Sequence, residues 1–537
     1  MANRHSTDVA IAGGGLAGIV TALECLRAGL SVTVVDRDTP ERLGGLALWS
    51  FGGMALVGTP LQAKLKIPDS PHRALADWLS FGELGANDVW PRRWAEHYVQ
   101  ESRPQVYDWL VQQGLRFMPA VNWVERGKYG NGNRLPRYHV LWGTGHGLVR
   151  RMVAVMQEAG GKGRLTVLSG HRVVGIERSA KGVTGLRAEP EGGGTPVLID
   201  AGRVVLAMGG INGSTEQVIA NWPAGRVRPA TMLNGAHPFS DGRLHRQVSD
   251  ELGGRITHAG EMWNYAAGLP HPRPHFPGHG LSAIPSKSAL WLDHRGRRIG
   301  PEPLVTGFDT HDLCQRVAAL EKPYTWQVMN WRIAARELAI SGAEHNPHVR
   351  DSRRLHFARD IFFGNHALVR QLQRECPQFI VEPTLGALAA RMNALTGTND
   401  VDPQVLQATV DDFDSNFDRG LSVCNDEQIR RVMHARQWWS DRLRTCKPAR
   451  LQQRGAGPFI AMQLQLVTRK SLGGLQTDLQ SRVLDAAGQS VPGLYCVGEA
   501  AGFGGGGASG KRSLEGTFLP GCILTARAAA RAITHGH

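Results

Sequence analysis

A strand, a glycine-rich turn, a helix and a second strand follow one another over residues 8–36, and this arrangement restricts the possible fold more than any other feature. The turn carries the pattern Gly13-x-Gly15-x-x-Gly18, and the second strand ends at Asp36. Gly13 permits a tight turn, Gly15 lets the backbone approach a pyrophosphate, and Gly18 lets the helix pack closely against the strand. The segment predicts a Rossmann-like α/β unit that binds a dinucleotide.

Two further groups in this segment suit such a ligand. The N-terminus of the helix offers unpaired N–H groups and the positive end of its dipole to the phosphates. Asp36 follows the last glycine by about 20 residues, where its carboxylate can accept hydrogen bonds from ribose hydroxyls. The residues predicted to bind the dinucleotide here are Gly13, Gly14, Gly15, Leu16, Ala17, Gly18, Asp36 and Arg37.

The composition is typical of a globular protein. A chain of 537 residues is long enough for two or more domains, and 42% hydrophobic with 20% charged residues is an ordinary balance. The net charge of +14 comes from Lys and Arg spread along the chain, which favours a solvated arginine-rich surface. A basic, RNA-associated protein stays an alternative, but nucleic-acid binding is not the expectation.

Targeting and cysteine patterns suggest a cytoplasmic location. The first residues run directly into the first strand and leave no room for a signal peptide, and no apolar run reaches membrane-spanning length. The seven cysteines are scattered and lack Cys-x-x-Cys spacing, which argues against disulfides, a zinc site and an iron–sulfur cluster. We therefore expect neither a membrane span nor a metal site.

Short strands return between residues 160 and 210, separated by glycine- and glutamate-rich turns, and they predict a meander that feeds back into the sheet. The predicted strands are 165–168, 171–176, 182–186 and 203–208. The last one ends in paired glycines, which indicates backbone lying close to a ligand. The residues predicted to face the ligand from this region are Val173, Ala207, Met208 and Gly209.

The character of the chain changes near residue 216, where Pro, His and Trp accumulate, as in the segment His271–His279. Amphipathic helices are predicted at 384–396 and 425–444. Strand signals resume near the C-terminus at 491–497, and a final helix is predicted at 522–534. The simplest architecture is a nucleotide-binding domain at 1–215 and 456–537, split by an inserted α+β capping domain at 216–455.

Four glycine-rich motifs in order resemble the flavoprotein subunits of the fumarate reductase and succinate dehydrogenase family. They are the turn at 13–18, Gly44-Gly45-x-Ala47-x-x-Ser50-x-Gly52-Gly53, the strand end 206–210 and the run 492–499. The runs 130–145, 468–474 and 513–521 are similar to a subgroup of FAD-binding dehydrogenases placed near the 3-ketosteroid Δ1-dehydrogenases. The resemblance implies FAD, a split flavin domain and a cap that closes over the isoalloxazine ring.

The resemblance also implies where FAD binds. Small residues would let the chain pass close to the ribityl chain and the ring, and these are Gly44, Gly45, Ala47, Ser50, Gly52 and Gly53. Glu499 would accept from ribityl hydroxyls, and a helix starting near Thr517 would aim its positive end at the flavin pyrimidine. The other implied contacts are Asp241, Gly498, Ser513 and Phe518. Succinate dehydrogenases attach FAD through a histidine before the small-residue segment, but 37–52 contains none, so we expect noncovalent FAD.

The substrate groups of the family are changed in this chain. Fumarate reductases hold a dicarboxylate with an arginine and a histidine where this sequence has Ser513 and Lys470, so succinate and fumarate are not expected as substrates. Lys470 could polarise a ketone, bind one carboxylate or neutralise a surface acid. The C-terminal tyrosine of the ketosteroid dehydrogenases falls near Thr517, which is a departure from their pattern.

Arg137, Tyr138 and His139 form the densest group of possible acids, bases and anchors, although residues of these kinds are more often packed in the core than catalytic. We expect desaturation next to a carbonyl: Lys470 or a tyrosine polarises a cyclic ketone, His139 or a tyrosinate removes the α-proton, and hydride passes to flavin N5. Tyr129, Tyr265 and Tyr324 also lie in segments that could reach a cleft.

Other interpretations stay open. The same scheme run backward is enone reduction of the fumarate reductase type, and a flavin-binding subunit without turnover is a further possibility. We expect an apolar small-molecule substrate and an external electron acceptor or donor, and an oligomer is possible.

Overall fold

The computed structural model describes residues 3–535, and its centre is a six-stranded, mostly parallel sheet built from both ends of the chain. The strands Val9–Ala12 and Val32–Val35 are buried at every residue, as expected for parallel strands covered on both faces. Arg482–Leu484 and Ser490–Cys496 pair antiparallel, and the other neighbouring strands of this sheet are parallel. In spatial order the strands are Arg482–Leu484, Ser490–Cys496, Val204–Leu206, Val9–Ala12, Val32–Val35 and Leu165–Leu168.

One face of this sheet packs against three helices, Leu16–Arg27, Thr144–Gly160 and Phe518–His535. The opposite face packs against a second sheet and helix Arg243–Leu252, with Ala10 and Ala12 in that core. The strands of the second sheet, in spatial order, are Asn3–Ser6, Val197–Asp200, Gly182–Pro190 and His171–Ser179. The predicted fold class, a Rossmann-like α/β domain split in sequence, is confirmed, because the central sheet takes strands from both ends of the chain.

The predicted meander at 160–210 is only partly correct. Leu165–Leu168 and Val204–Leu206 do join the central sheet. The two long strands between them pair with each other instead. The second of them pairs with Val197–Asp200, which in turn pairs with the chain's first strand, so these strands form a separate layer.

The cap is built on a mixed sheet whose central strand is Phe459–Ser471. Four strands pair directly with it: Leu233–Asn234, Met262–Pro270, Thr325–Asn330 and Phe379–Glu382. The sheet continues through Leu290–Leu292 on one side and through Gly280–Ile284 and Ala339–Ile340 on the other. Smaller sheets pair Ile256–Thr257 with Gly474–Leu475, and Gly53–Ala55 and Phe117–Asn122 with Tyr138–Leu141.

Helices cover the cap sheet and connect it to the central sheet. The predicted helix at 384–396 is Leu385–Thr396, with Thr384 capping its first turn. The remaining α-helices are Leu46–Trp49, Pro60–Lys64, Pro71–Gly82, Val89–Glu101, Trp109–Gln112, Thr215–Ala220, Thr310–Ala318, Trp331–Glu337, Pro347–Arg350, Arg354–Phe363, His366–Glu375, Pro403–Ser415, Glu427–Ala435 and Trp439–Arg444. Within residues 3–535, none is both long enough and apolar enough to cross a membrane.

The single helix predicted at 425–444 is wrong, because the structure divides it into two. Trp438 has an extended backbone between the two helices. Its indole N–H donates to the carbonyl of Val121 at 2.7 Å, so tertiary packing overrides the local periodicity there. The final helix starts at Phe518, one residue after Thr517 and four before the predicted start.

Arg137 lies in a buried ion network and not in a reaction site. Its guanidinium is 2.8 Å from Asp69 Oδ1 and 2.6 Å from Asp77 Oδ2, and Asn133 Oδ1 accepts a third hydrogen bond at 2.8 Å. The side chains of both aspartates are at most 1% exposed. The predicted catalytic role for Arg137 is therefore corrected: its donors are used in neutralising two buried carboxylates.

Replacing Arg137 with alanine should lower the free energy of unfolding by about 3–5 kcal/mol, because two buried carboxylates lose their partner. Denaturant titration followed by circular dichroism measures the change. Arg4→Ala, which removes an exposed ion pair with Asp200, is the control and should leave the midpoint unchanged. Equal midpoints for wild type and Arg137→Ala would contradict this account.

Candidate active site

A cleft of about 1670 Å³, its open mouth included, lies at the carboxyl ends of the parallel strands. Ligands in open α/β sheets bind at this edge, where the loops after the strands meet. The predicted cofactor residues that line the cleft are Gly13, Gly15, Leu16, Ala17, Asp36, Arg37, Gly44, Gly45, Ala47, Ser50, Gly52, Gly53, Val173, Ala207, Met208, Gly209, Asp241, Glu499 and Phe518.

Five predicted cofactor residues lie behind the cleft surface. Gly18 packs against Gly13, since a Cβ on Gly18 would stand 2.0 Å from the Gly13 carbonyl oxygen. Gly498 donates its N–H to Thr525 Oγ1 at 2.9 Å. The others are Gly14, whose N–H donates to Asp36, and Ser513 and Thr517, whose hydroxyls bond to each other at 2.8 Å. Their direct contact with a cofactor is not supported, because their polar groups are used in shaping the wall.

The phosphate-binding part of the cleft is the start of helix Leu16–Arg27. Gly15 precedes this helix and has no side chain with which to cap it, and the first turn holds no acidic residue. The N–H groups of that turn and the positive end of the dipole are thus left for an anion. Gly15 also forms a bridge with Gly44, which brings two residues without side chains together on the cleft floor.

Asp36 and Arg37 are partly engaged by the protein itself. Asp36 accepts from the Gly14 amide at 2.5 Å and the Asp38 amide at 2.8 Å, and burial raises the pKa of its carboxyl. Each carboxylate oxygen keeps a second acceptor position for a ribose hydroxyl. Arg37 pairs with Glu191 at 2.5 Å and with Asp241 at 2.8 Å. Asp241 therefore lines the cleft with its carboxylate already paired to a cation.

Two oppositely charged groups are half-buried near the far end of the cleft. Glu499 accepts from the Ser471 amide at 2.9 Å, and burial raises the pKa of Glu499 to about 7. Lys470 stands with its Nζ 4.5 Å from the centre of the Phe518 ring. Burial, helped by neighbouring Arg469, lowers the pKa of Lys470 to about 8, so the ammonium form still dominates at pH 7.

Glu515 is a cleft residue that the sequence analysis did not single out. It lines the cleft, and its Oε2 accepts from Tyr265 Oη at 2.8 Å and from the Trp263 indole N–H at 3.0 Å. Glu515 lies inside the run 513–521 singled out for the family, but nothing in the local pattern indicates that a tyrosine 250 residues away would reach it. Burial raises the pKa of Tyr265 well above its usual range.

The Tyr138 side chain reaches the same end of the cleft by packing against two glycines, Gly53 and Gly516. A Cβ on Gly53 would lie 1.8 Å from Tyr138 Oη, and one on Gly516 would lie 2.9 Å from its ring, so both positions must lack a side chain. Burial raises the pKa of the Tyr138 hydroxyl, with Glu515 adding to the effect, and keeps it a neutral donor. We call Tyr138, Tyr265, Lys470 and Glu515 the acid–base cluster.

His139 does not face the cleft, and the sequence-based choice of base is corrected. Side chains alternate along a strand, so Tyr138 points to the cleft while Arg137 and His139 point away. The His139 ring is fully buried, with Nδ1 2.7 Å from the Arg137 carbonyl and Nε2 2.9 Å from Thr59 Oγ1. Burial lowers its pKa to about 4. Among the other tyrosines considered, Tyr129 is 83% exposed, and neither it nor Tyr324 lines the cleft.

A glycine turn at a helix N-terminus, a parallel sheet and a long cleft at its carboxyl edge define an α/β dinucleotide-binding protein. The acid–base cluster in the cleft is of a kind typical of enzymes. The chain belongs to the FAD binding domain family, whose model matches residues 8–519. It is an FAD-dependent oxidoreductase, as the sequence predicted.

Relatives and solved structures agree with this assignment. The chain is 38% identical over 549 aligned residues to a KsdD-like steroid dehydrogenase of Mycobacterium tuberculosis, covering 98% of this chain and 95% of the relative. The fold is shared with 3-ketosteroid Δ1-dehydrogenase from Sterolibacterium denitrificans (TM-score 0.70, 16% identity, 99% and 100% of the two chains). It is also shared with a flavocytochrome c3 fumarate reductase (TM-score 0.67, 17% identity, 99% and 78%).

The residues of the cleft fit FAD. A Cβ on Gly15 would meet no atom closer than 4.0 Å, so the glycine leaves free space on the cleft floor where a pyrophosphate would sit. The free N–H groups at the uncapped helix start can bind the phosphates. Asp36 and Glu499 offer acceptors to the ribose and ribityl hydroxyls.

Gly15→Ala should weaken FAD binding while leaving the fold intact. Its backbone angle suits alanine, but the added methyl group would take the space needed by a pyrophosphate. We expect the Kd for FAD to rise about tenfold or more, equivalent to about 1.4 kcal/mol. Flavin fluorescence titration of the deflavinated protein measures this.

Gly386→Ala is the matched control, because that helical glycine is exposed and a Cβ there would meet no atom within 4 Å. It should bind FAD as the wild type does. An unchanged FAD affinity in Gly15→Ala would remove the helix start from the proposed phosphate site.

Proposed function

We propose that this protein desaturates a cyclic ketone of steroid type next to its carbonyl group. The observation that carries the proposal is the acid–base cluster, which brings two tyrosines, a lysine and a carboxylate to one end of the cofactor cleft. The 38% identity to a KsdD-like steroid dehydrogenase supports a substrate of this class. When bound, FAD would supply the acceptor atom, flavin N5, for the hydride that leaves the β-carbon of the substrate.

Lys470 and Tyr138 are the proposed donors to the ketone oxygen. The Lys470 ammonium form dominates below pH 8, and the Tyr138 hydroxyl stays neutral because burial raises its pKa. Both side chains are half-buried in the cleft. Once bound substrate and FAD exclude water, their hydrogen bonds to a developing enolate would act in a site of low dielectric and be strong. Their effect is to acidify the α-hydrogen of the ketone.

Tyr265 and Glu515 are the proposed base. The Tyr265 hydroxyl already donates to Glu515 at 2.8 Å, so its oxygen can take the α-proton as its own proton passes to the carboxylate. Trp263 holds the same carboxylate oxygen at 3.0 Å and orients it. The α-proton thus ends on the Tyr265 oxygen and the original hydroxyl proton of Tyr265 ends on Glu515. The β-hydrogen leaves with its electron pair, and a carbon–carbon double bond forms.

The reverse reaction, reduction of an enone, uses the same groups and is the second candidate, favoured by the fold shared with a fumarate reductase. The external electron partner decides the direction. The decisive experiment mixes the FAD-loaded protein anaerobically with 3-ketosteroids and with alicyclic ketones and follows bleaching of the flavin. Double-bond position in the product identifies the carbons that react, and a flavin that no ketone reduces would contradict the desaturase proposal.

Tyr265→Phe should lower kcat by about 10²- to 10⁴-fold, because the proton relay to Glu515 is lost. The flavin spectrum should not change, since FAD binding rests on other residues. Tyr129→Phe is the control, because that tyrosine is exposed outside the cleft and its removal should leave kcat unchanged. Full activity in Tyr265→Phe would exclude the relay.

The rate should fall as pH rises above about 8. Lys470 has its pKa lowered to about 8, so it is mostly charged at pH 7 and mostly neutral at pH 9. Lys470→Arg keeps the charge at all these pH values and should lose this limb of the pH–kcat profile. A limb that persists unchanged in Lys470→Arg would assign it to another group.

A further inference from the structure

Five side chains of the kinds that bind metals lie together in the cap, outside the reaction cleft. They belong to two overlapping triads, His271–His275–His279 and His271–Glu344–His345. Within each triad the ligand atoms all lie within 4.8 Å of one another. We propose that this cluster binds one transition-metal ion of the Zn²⁺ class, with His271, His275, Glu344 and His345 as ligands.

The distances from the Glu344 carboxylate to two of the histidines suit a tetrahedral ion. Glu344 Oε2 is 3.4 Å from His271 Nε2 and 3.8 Å from His275 Nε2. Bonds of about 2.0–2.1 Å in a tetrahedral Zn²⁺ site place ligand atoms about 3.3 Å apart. Arg273 donates to the other oxygen, Glu344 Oε1, at 2.9 Å, and so leaves Oε2 directed at the histidines. A partner of this kind, which orients a ligand from outside, is usual around metal sites.

His345 provides the second, independent sign of a ligand. Its residue is 4% exposed, and within residues 3–535 neither of its ring nitrogens has a hydrogen-bond partner. Buried polar groups are otherwise almost always paired, so an imidazole left unpaired beside a carboxylate points to a missing partner. A metal ion on one nitrogen would supply it.

His279 is assigned to the wall of the site. Its Nδ1 accepts from the His275 amide at 3.3 Å, and its ring stacks on His271 with centres 4.4 Å apart. His275 has a side chain 39% exposed and gives the ion a route in from solvent. His271 also accepts at Nδ1, from the Arg273 amide at 3.0 Å, so a metal on its Nε2 requires the turn at 271–273 to release that contact.

Three imidazoles and one carboxylate are a ligand set that suits Zn²⁺, Co²⁺ and Ni²⁺. The site would tie the turn after strand Met262–Pro270 to residues 344–345. It would also tie both to Trp49, whose ring stacks on His275 at 5.2 Å and on cleft residue His237 at 5.5 Å. The expectation of no metal site rested on cysteine spacing alone and did not consider histidines brought together by the fold.

The test uses the FAD-loaded protein after EDTA treatment and dialysis. Zn²⁺ is added as its sulfate, binding is measured by calorimetry, and bound zinc is counted by elemental analysis after gel filtration. We expect one Zn²⁺ per chain and a Tm that rises with Zn²⁺. His345→Ala and Glu344→Gln should each weaken binding at least tenfold and lose the Tm rise.

His72→Ala is the control, because that histidine is exposed on helix Pro71–Gly82 and should leave Zn²⁺ binding unchanged. The flavin spectrum of each variant shows whether it folds. No stoichiometric zinc in the wild type, or equal zinc in wild type, His345→Ala and Glu344→Gln, would overturn the proposal. Because metal content is measured without turnover, this result is independent of whether the protein desaturates ketones.

Discussion

The close contact of three backbone segments at Gly13 is the constraint on which the rest of the structure depends. Gly13 has a φ of +109°, and a Cβ there would lie 2.4 Å from the carbonyl oxygen of Ala207. Gly18 approaches Gly13 just as closely from the helix side. The strand Val9–Ala12, the helix Leu16–Arg27 and the strand Val204–Leu206 thus meet without side chains between them. The cleft opens directly above that meeting point.

Burial of charge governs the chemistry that this cleft can support. Lys470 and Glu499 are both half-buried in the cleft, and the same partial desolvation lowers the pKa of the lysine and raises that of the glutamate. Each is brought nearer to neutrality, where small changes in surroundings alter its protonation. Groups of this kind are concentrated at active sites, while Arg137 shows the opposite case of buried charge that is fully neutralised by neighbours.

The extent to which the site could be predicted follows from how local each interaction is. Gly13, Gly15 and Glu499 lie in short motifs whose physical roles depend on neighbours in sequence, and the structure places all three on the cleft. The pairing of Tyr265 with Glu515 depends on tertiary contact alone, so no local pattern contains it. His139 and Arg137 were misplaced for a different reason: strand alternation was not applied, although Tyr138 between them does reach the cleft.

One antiparallel ladder joins the cap to the reaction site and determines the geometry of the acid–base cluster. In the pairing of Met262–Pro270 with Phe459–Ser471, Trp263 is opposite Lys470, and Tyr265 is opposite Val467. The register shifts between Trp263 and Asn264, and such a bulge bends a strand and re-aims its side chains. Trp263 and Tyr265 lie two residues apart, on the same face of their strand, and both reach the same oxygen of Glu515.

Because a slip of one residue would turn every side chain of a strand to the other face, the cap sheet cannot shift without dismantling the cluster. The predicted domain boundary at 455/456 leaves Phe459–Ser471 with the nucleotide-binding domain, yet this strand is the centre of the cap sheet. Because Phe459–Ser471 belongs to the cap sheet and also carries Lys470, the position of the cap over the cleft is coupled to the position of Lys470. Changes in the cap that alter the ladder should therefore act on the chemical step as well as on substrate binding.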